Sequence, residues 1–159
     1  MPDVDKVMEV VALCVRQMQG RGSDQWDDFY PSRDVIEADI RAGTLYVLRD
    51  GAILIGAVVV NETQSPEYAQ LEWQRPDARV LVIHRLCVRP DRQGTGAGHQ
   101  LMDFAEQFAR TNGYSAIRLD TYTGNPVATS LYVRRGYRIT GQVRFRHRKL
   151  PFVGFELLL

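Results

Sequence analysis

The sequence predicts a mixed β-sheet flanked by helices, in one domain spanning residues 1–159. Three observations predict it. Val4, Val7, Met8, Val11, Cys14, Val15 and Met18 recur at helical spacing. Two apolar runs meet at Asp50-Gly51, a hairpin signal. Val80-Leu81-Val82-Ile83 is apolar on both faces, as a central strand requires.

The elements follow in order. Asp3 reads as the N-cap of the first helix and Gly20 as its stop. Ser32 caps a short helix carrying Val35, Ile36 and Ile40, ending near Gly43. Thr44–Arg49 and Ile53–Asn61 are the hairpin strands. Residues 62–79, broken by Pro66 and Pro76, are expected to lack regular structure and to form a substrate-facing flap or a surface insertion. Arg79–Arg89 is the central strand, stopped by Pro90. Leu101, Phe104, Ala105 and Phe108 mark a helix to about Thr111, closed by Asn112-Gly113. Ala116–Tyr122 is a strand, and Asn125-Pro126 opens a helix that Gly136 ends. Tyr137–Phe145 and Pro151–Leu158 close the chain as strands.

Bulk properties exclude several classes. Lys plus Arg total 20 against 19 Asp plus Glu, so no nucleic acid or anionic membrane is expected as partner. The run Arg144-Phe145-Arg146-His147-Arg148-Lys149 reads as a solvated strand end or hairpin. Cys14 and Cys87 lie in apolar settings without metal-ligand spacing, so buried free thiols and no metal are expected. The first residues carry no signal-peptide pattern, and the longest apolar stretch, Ala52–Val60, is too short to span a bilayer. A soluble cytoplasmic protein is expected.

The chemistry is concentrated in Gln93-Gly94-Thr95-Gly96-Ala97-Gly98, between the central strand and its helix. The glycines permit close backbone approach to a ligand. The helix start leaves N–H groups pointing outward and adds partial positive charge, which suits a pyrophosphate. The glycines are spaced by two, so the dinucleotide fingerprint fails at its third glycine, and no Gly-Lys-Ser/Thr follows.

Val88-Arg89-Pro90-Asp91-Arg92 leading into Gln93–Gly98, together with Asn125-Pro126 and Leu131-Tyr132-Val133-Arg134-Arg135-Gly136-Tyr137, resembles the GNAT superfamily of N-acetyltransferases. The resemblance covers residues 44–159 well and the first 43 loosely. It implies a mixed, mostly antiparallel α/β (α+β) sheet with a splayed central strand pair. The family's first strand is missing or very short here. It also implies acetyl-CoA as acyl donor, with backbone groups of Leu86 and Val88 on the pantetheine arm and those of Gln93, Gly94, Thr95, Gly96, Ala97 and Gly98 on the pyrophosphate. Asn125 would contact the cofactor or cap its helix. Tyr132 matches the family's general acid. His84 lies where the family often places a carboxylate base, with Glu72 as the second candidate. Arg92, Arg134 and Arg135 either meet phosphates or face solvent.

Trp26, Tyr30, Glu72, Trp73 and Tyr122 are the expected acceptor-facing residues, with Asp27, Asp28 or Asp120 nearby for a cationic amine. The implied reaction is direct attack of a primary amine, on a small molecule or peptide, through a tetrahedral intermediate. A non-catalytic acyl-CoA-binding module is the alternative, and a nicotinamide-dependent oxidoreductase is a distant third. The unblocked C-terminal strands are compatible with a homodimer.

Overall fold

The computed structural model describes residues 2–159. Its elements run α1 (Val4–Gly20), α2 (Arg33–Arg41), β1 (Leu45–Asp50), β2 (Ile53–Asn61), β3 (Val80–Val88), α3 (Ala97–Thr111), β4 (Ala116–Tyr122), α4 (Pro126–Arg134), β5 (Arg138–Val143) and β6 (Phe152–Leu158). Short 3-10 turns fill Pro66–Gln70 and Pro90–Arg92. The strands form one sheet in the order β1-β2-β3-β4-β6-β5. Antiparallel pairs join β1 to β2, β4 to β6 and β5 to β6, while β3 and β4 run parallel. No strand precedes α1 among the described residues.

Local sequence accounts for the helix starts. Asp3 Oδ1 accepts from the N–H groups of Asp5 and Lys6, and Ser32 Oγ from that of Val35. Each satisfies donors that a helix start otherwise leaves open. The Asp50–Gly51 turn joins β1 to β2, with Gly51 at φ 57°. The two C-terminal strands are shorter than expected and stop short of Phe145 and Pro151.

The chain divides into two compact units, one running to Val60 with Ile83–Ala105, the other comprising Asn61–Val82 with Glu106–Leu159. The first has its own core. Val7, Val10, Val11, Cys14 and Val15 of α1 pack with Ile36 and Ile40 of α2, the β1–β2 hairpin and Cys87. Burying apolar side chains on this scale is what holds α1, whose polar face is left to solvent.

The second unit is organised by a cross-strand ion pair. Arg118 on β4 and Glu156 on β6 are register partners, and Arg118 Nε lies 3.2 Å from Glu156 Oε1 with both residues 2% exposed. Their remaining polar atoms hold residues 62–79. Arg118 donates to Gln64 Oε1 and to the Arg75 carbonyl, each at 2.7 Å, and Glu156 Oε2 accepts from the Gln74 N–H at 2.7 Å. The guanidinium also stacks 4.1 Å over the Trp73 ring. Leu71 seats against Gly154, where a Cβ would meet Leu71 Cδ1 at 2.5 Å. The segment expected to lack structure is therefore ordered. Its restraints come from residues 43 to 83 positions away, which local periodicity does not register.

Arg118→Met leaves the Glu156 carboxylate buried without its cation, and about 3–5 kcal/mol of stability should be lost in urea denaturation. Arg118→Met with Glu156→Leu should recover much of that, because the stranded charge goes too.

Candidate active site

In the first unit the site is a strand end, a loop and a helix start. β3 pairs with β4 from Val80↔Ala116 to Val82↔Arg118. Arg85 then takes φ 48°, a conformation that is strained for a side chain with a Cβ. Its guanidinium offsets this with a two-pronged pair to Asp39 of α2, Nε to Oδ2 and Nη2 to Oδ1, both 2.8 Å. Arg85 Nη1 also donates to the Tyr30 hydroxyl at 3.1 Å. His84 and Leu86 flank this irregularity, half-buried.

The Val88 carbonyl is engaged within the chain, accepting from Gln93 Nε2 at 3.1 Å and from Cys14 Sγ at 3.4 Å. Gln93 also exchanges hydrogen bonds with Gln17 of α1. Its side chain fixes the entry to the loop. Thr95 Oγ1 donates to the Arg92 carbonyl at 2.6 Å, turning the chain within the loop.

Gly94 and Gly96 have φ 77° and 91°, and a Cβ built on either meets nothing within 4 Å. That side of the loop is open, and the backbone there is one that only glycine adopts without strain. Gln100 donates its N–H to the Gly96 carbonyl at 3.0 Å in the first turn of α3. Ala97 and Gly98 open the helix, where backbone N–H groups have no intrahelical carbonyl to receive them. Open glycines and outward donors at the positive end of a 15-residue helix fit a pyrophosphate. Arg92 pairs with Asp50 at 3.1 Å.

Of the expected acceptor-facing residues here, Trp26 is buried in the first unit's core, while Tyr30 is 37% exposed and held by Arg85.

The second unit contains a cluster only partly anticipated from sequence. The Tyr68 hydroxyl donates to Asp120 Oδ2 at 2.6 Å. Burial raises the Asp120 carboxyl above the ordinary aspartate value. The Tyr68 bond offsets part of that rise, and the Glu67 carboxylate adds to it. Tyr132, 5% exposed, packs against Phe155 at 5.4 Å and Tyr137 at 6.0 Å between ring centroids. Burial, and then the Asp120 carboxylate, push the Tyr132 hydroxyl well above the usual tyrosine value. Tyr68 is raised for the same two reasons. A half-buried carboxylate thus sits among tyrosyl groups that stay protonated at neutral pH.

The other expected residues have defined places. Asn125 Oδ1 accepts from the Ala128 N–H at 3.1 Å, the helix-capping role. Tyr122 lies in the second unit's core, 5.3 Å from Phe152. Trp73 donates to the Tyr68 carbonyl at 2.9 Å and packs 5.3 Å from its ring, while Glu72 is exposed. Arg135 makes a two-pronged pair with Glu106 at 2.8 Å. The pairing of Tyr68 with Asp120 leaves no local signal, because the two are 52 residues apart. Among the described residues no cluster of His, Cys, Asp and Glu forms a metal site, and no helix is long and apolar enough to cross a membrane.

The model of the acetyltransferase (GNAT) family matches residues 11–137. The chain belongs to that family. A streptothricin acetyltransferase of Escherichia coli is 32% identical over 74 residues, 46% of this chain and 42% of that protein. The chain spans less than half the length of the first curated relatives it matches. A GNAT-family acetyltransferase from Streptococcus agalactiae superposes with TM-score 0.84 at 21% identity, covering 98% of this chain and 90% of that one. The yncA protein of Salmonella typhimurium, solved with its cofactor acetyl-CoA, gives TM-score 0.70 at 17% identity over 99% of this chain and 91% of that one.

Asp120→Asn tests the electrostatic description through stability. A carboxyl raised in the folded state contributes stability below its unfolded value and loses that contribution as pH rises through its folded value. The Asn variant should therefore gain on wild type in thermal melts as pH rises from acid to neutral. An unchanged difference across that range contradicts the assigned environment.

Proposed function

We propose that the chain works as a single acyl-CoA-dependent N-acetyltransferase domain, moving an acetyl group from acetyl-CoA to a primary amine on a small molecule or peptide by direct attack. The observation that carries this reading is the open glycine loop at the α3 start, in a chain of the acetyltransferase family. Acetyl-CoA supplies the acetyl group as a thioester. Gly94 to Gly98 hold its pyrophosphate through backbone N–H groups, and Gln93 braces the loop against the Val88 carbonyl. Backbone groups of Leu86 and Val88 would meet the pantetheine arm, the Val88 carbonyl already accepting within the chain.

The chain's own groups manage the protons. An alkyl ammonium has no lone pair and must lose a proton before it attacks. Asp120, its carboxyl raised by burial, is suited to hold the ammonium and take that proton. His84 and Glu72 are the other bases, and His84 is the one on β3 beside the Arg85 irregularity. Tyr132 keeps its proton at neutral pH and is suited to give it to a departing thiolate. Tyr30 is the remaining aromatic with an exposed face for the acceptor.

A panel of primary amines assayed for acetyl-CoA-dependent thiol release tests the reading. Tyr132→Phe should lower kcat by ~10²–10⁴ while leaving acetyl-CoA affinity intact. Thiol release at the wild-type rate from that variant removes Tyr132 from the chemistry. CoA binding without turnover on any amine favours a non-catalytic acyl-CoA-binding module.

A further inference from the structure

β3 is buried along its length except at three residues. His84, Arg85 and Leu86 are half-buried, while Val80–Ile83 before them and Cys87 and Val88 after them are buried. Arg85, the middle one, takes φ 48°. Register with β4 ends three residues before it, at Val82↔Arg118, and beyond it the Arg89 N–H reaches the Ile55 carbonyl of β2 at 2.8 Å. Glycines fill most of the chain's positive-φ positions, because they adopt that backbone without strain. Here the chain places an arginine, whose Cβ makes the same backbone costly. A glycine permits such a conformation, whereas an anchored side chain enforces it.

Two elements supply the anchor. Asp39 lies on α2 between Ile36 and Ile40, which are buried in the first unit's core. Its carboxylate takes two prongs of the Arg85 guanidinium at 2.8 Å, with the Arg85 and Asp39 side chains 14% and 11% exposed. Two parallel bonds fix the plane of the guanidinium as well as its position. Tyr30 is the second anchor. Asp27 Oδ1 accepts from the Phe29 and Tyr30 N–H groups at 2.9 and 2.8 Å, and the Asp27 N–H donates to the Tyr30 carbonyl at 3.0 Å. That closed loop brings the Tyr30 hydroxyl to Arg85 Nη1 at 3.1 Å. The guanidinium is thus held from a helix and from a loop, and neither belongs to β3.

We propose that Arg85 is a positioning residue for the acyl donor: clamped by Asp39 and Tyr30, it fixes the β3 backbone at Leu86, where the pantetheine arm is held. This rests on the acetyltransferase reading and adds to it a residue that acts through the backbone. The pyrophosphate is held separately, by the glycine loop. The pantetheine arm, and the thioester it ends in, depend on where β3 puts its backbone groups. A shift of about 1 Å there can cost about a hundredfold in rate. The same clamp ties Tyr30, the aromatic with an exposed face for the acceptor, to the strand that holds the donor.

Arg85→Gly and Arg85→Ala both remove the clamp, but only glycine still adopts φ 48° without strain. Acetyl-CoA and ADP are titrated into each variant and into wild type, ADP offering the pyrophosphate without the pantetheine arm. Arg85→Ala should bind acetyl-CoA about tenfold more weakly than wild type, Arg85→Gly should fall between, and ADP should bind all three alike. In the amine assay kcat should fall in the same order, by about a hundredfold for Arg85→Ala. Equal losses in the two variants overturn the proposal, because the guanidinium and not the backbone is then what matters. Parallel losses of acetyl-CoA and ADP overturn it as general damage to the fold, and undiminished acetyl-CoA binding in both variants overturns it outright. Should Arg85→Ala fail to fold, Asp39→Asn takes its place, with a smaller loss of acetyl-CoA affinity expected and unchanged affinity contradicting the proposal. The alanine–glycine difference in binding, without thiol release from wild type, upholds the positioning role and refutes the acetyltransferase reading. Thiol release with no such difference does the reverse.

Discussion

A guanidinium and a carboxylate buried together cannot part without leaving a charge in the protein interior, and that constraint organises the half of the molecule that carries Tyr132. Arg118 and Glu156 face each other across β4 and β6, so their pairing and the strand register enforce one another. Neither strand satisfies all their polar atoms. Gln64, Gln74 and Arg75 do, and all three belong to the segment between β2 and β3. The ion pair thereby turns a proline-broken connection into an ordered wall. Tyr68, carried on that wall, reaches Asp120 as a result.

The electrostatics of the tyrosines follow from the same burial. A carboxylate removed from water raises its own proton affinity and that of nearby hydroxyls. Asp120 thus becomes a better proton acceptor, and Tyr132 holds its proton more tightly. Burial thus shifts both groups the same way, and Asp120 adds to the shift at Tyr132.

Much of this was legible in the sequence where the signal is local. The caps at Asp3, Ser32 and Asn125, the Asp50–Gly51 turn and the strand Ala116–Tyr122 each depend on neighbours within a few residues, and each stands as expected. The glycine loop was legible for the same reason, since its φ values and the helix start are encoded by adjacent residues. The order in residues 62–79 was not, because its partners are Arg118, Glu156 and Gly154. Trp26 and Tyr122, expected from sequence to face the acceptor, lie in cores, where an aromatic side chain buries the most surface. Arg85 gave no signal at all: a positive φ within a strand, held by Asp39 and Tyr30, is visible only in three dimensions.

Calorimetric titration of CoA into wild-type protein and into Gly96→Val tests the central claim most directly. Gly96 has φ 91°, so a β-branched side chain there must distort the loop. The account predicts saturable one-site binding to wild type and a loss of about tenfold or more in the variant, the scale of one charge-assisted hydrogen bond. Wild-type protein that binds no CoA, or a variant that binds it equally well, contradicts the assignment of residues 93–98 to the pyrophosphate.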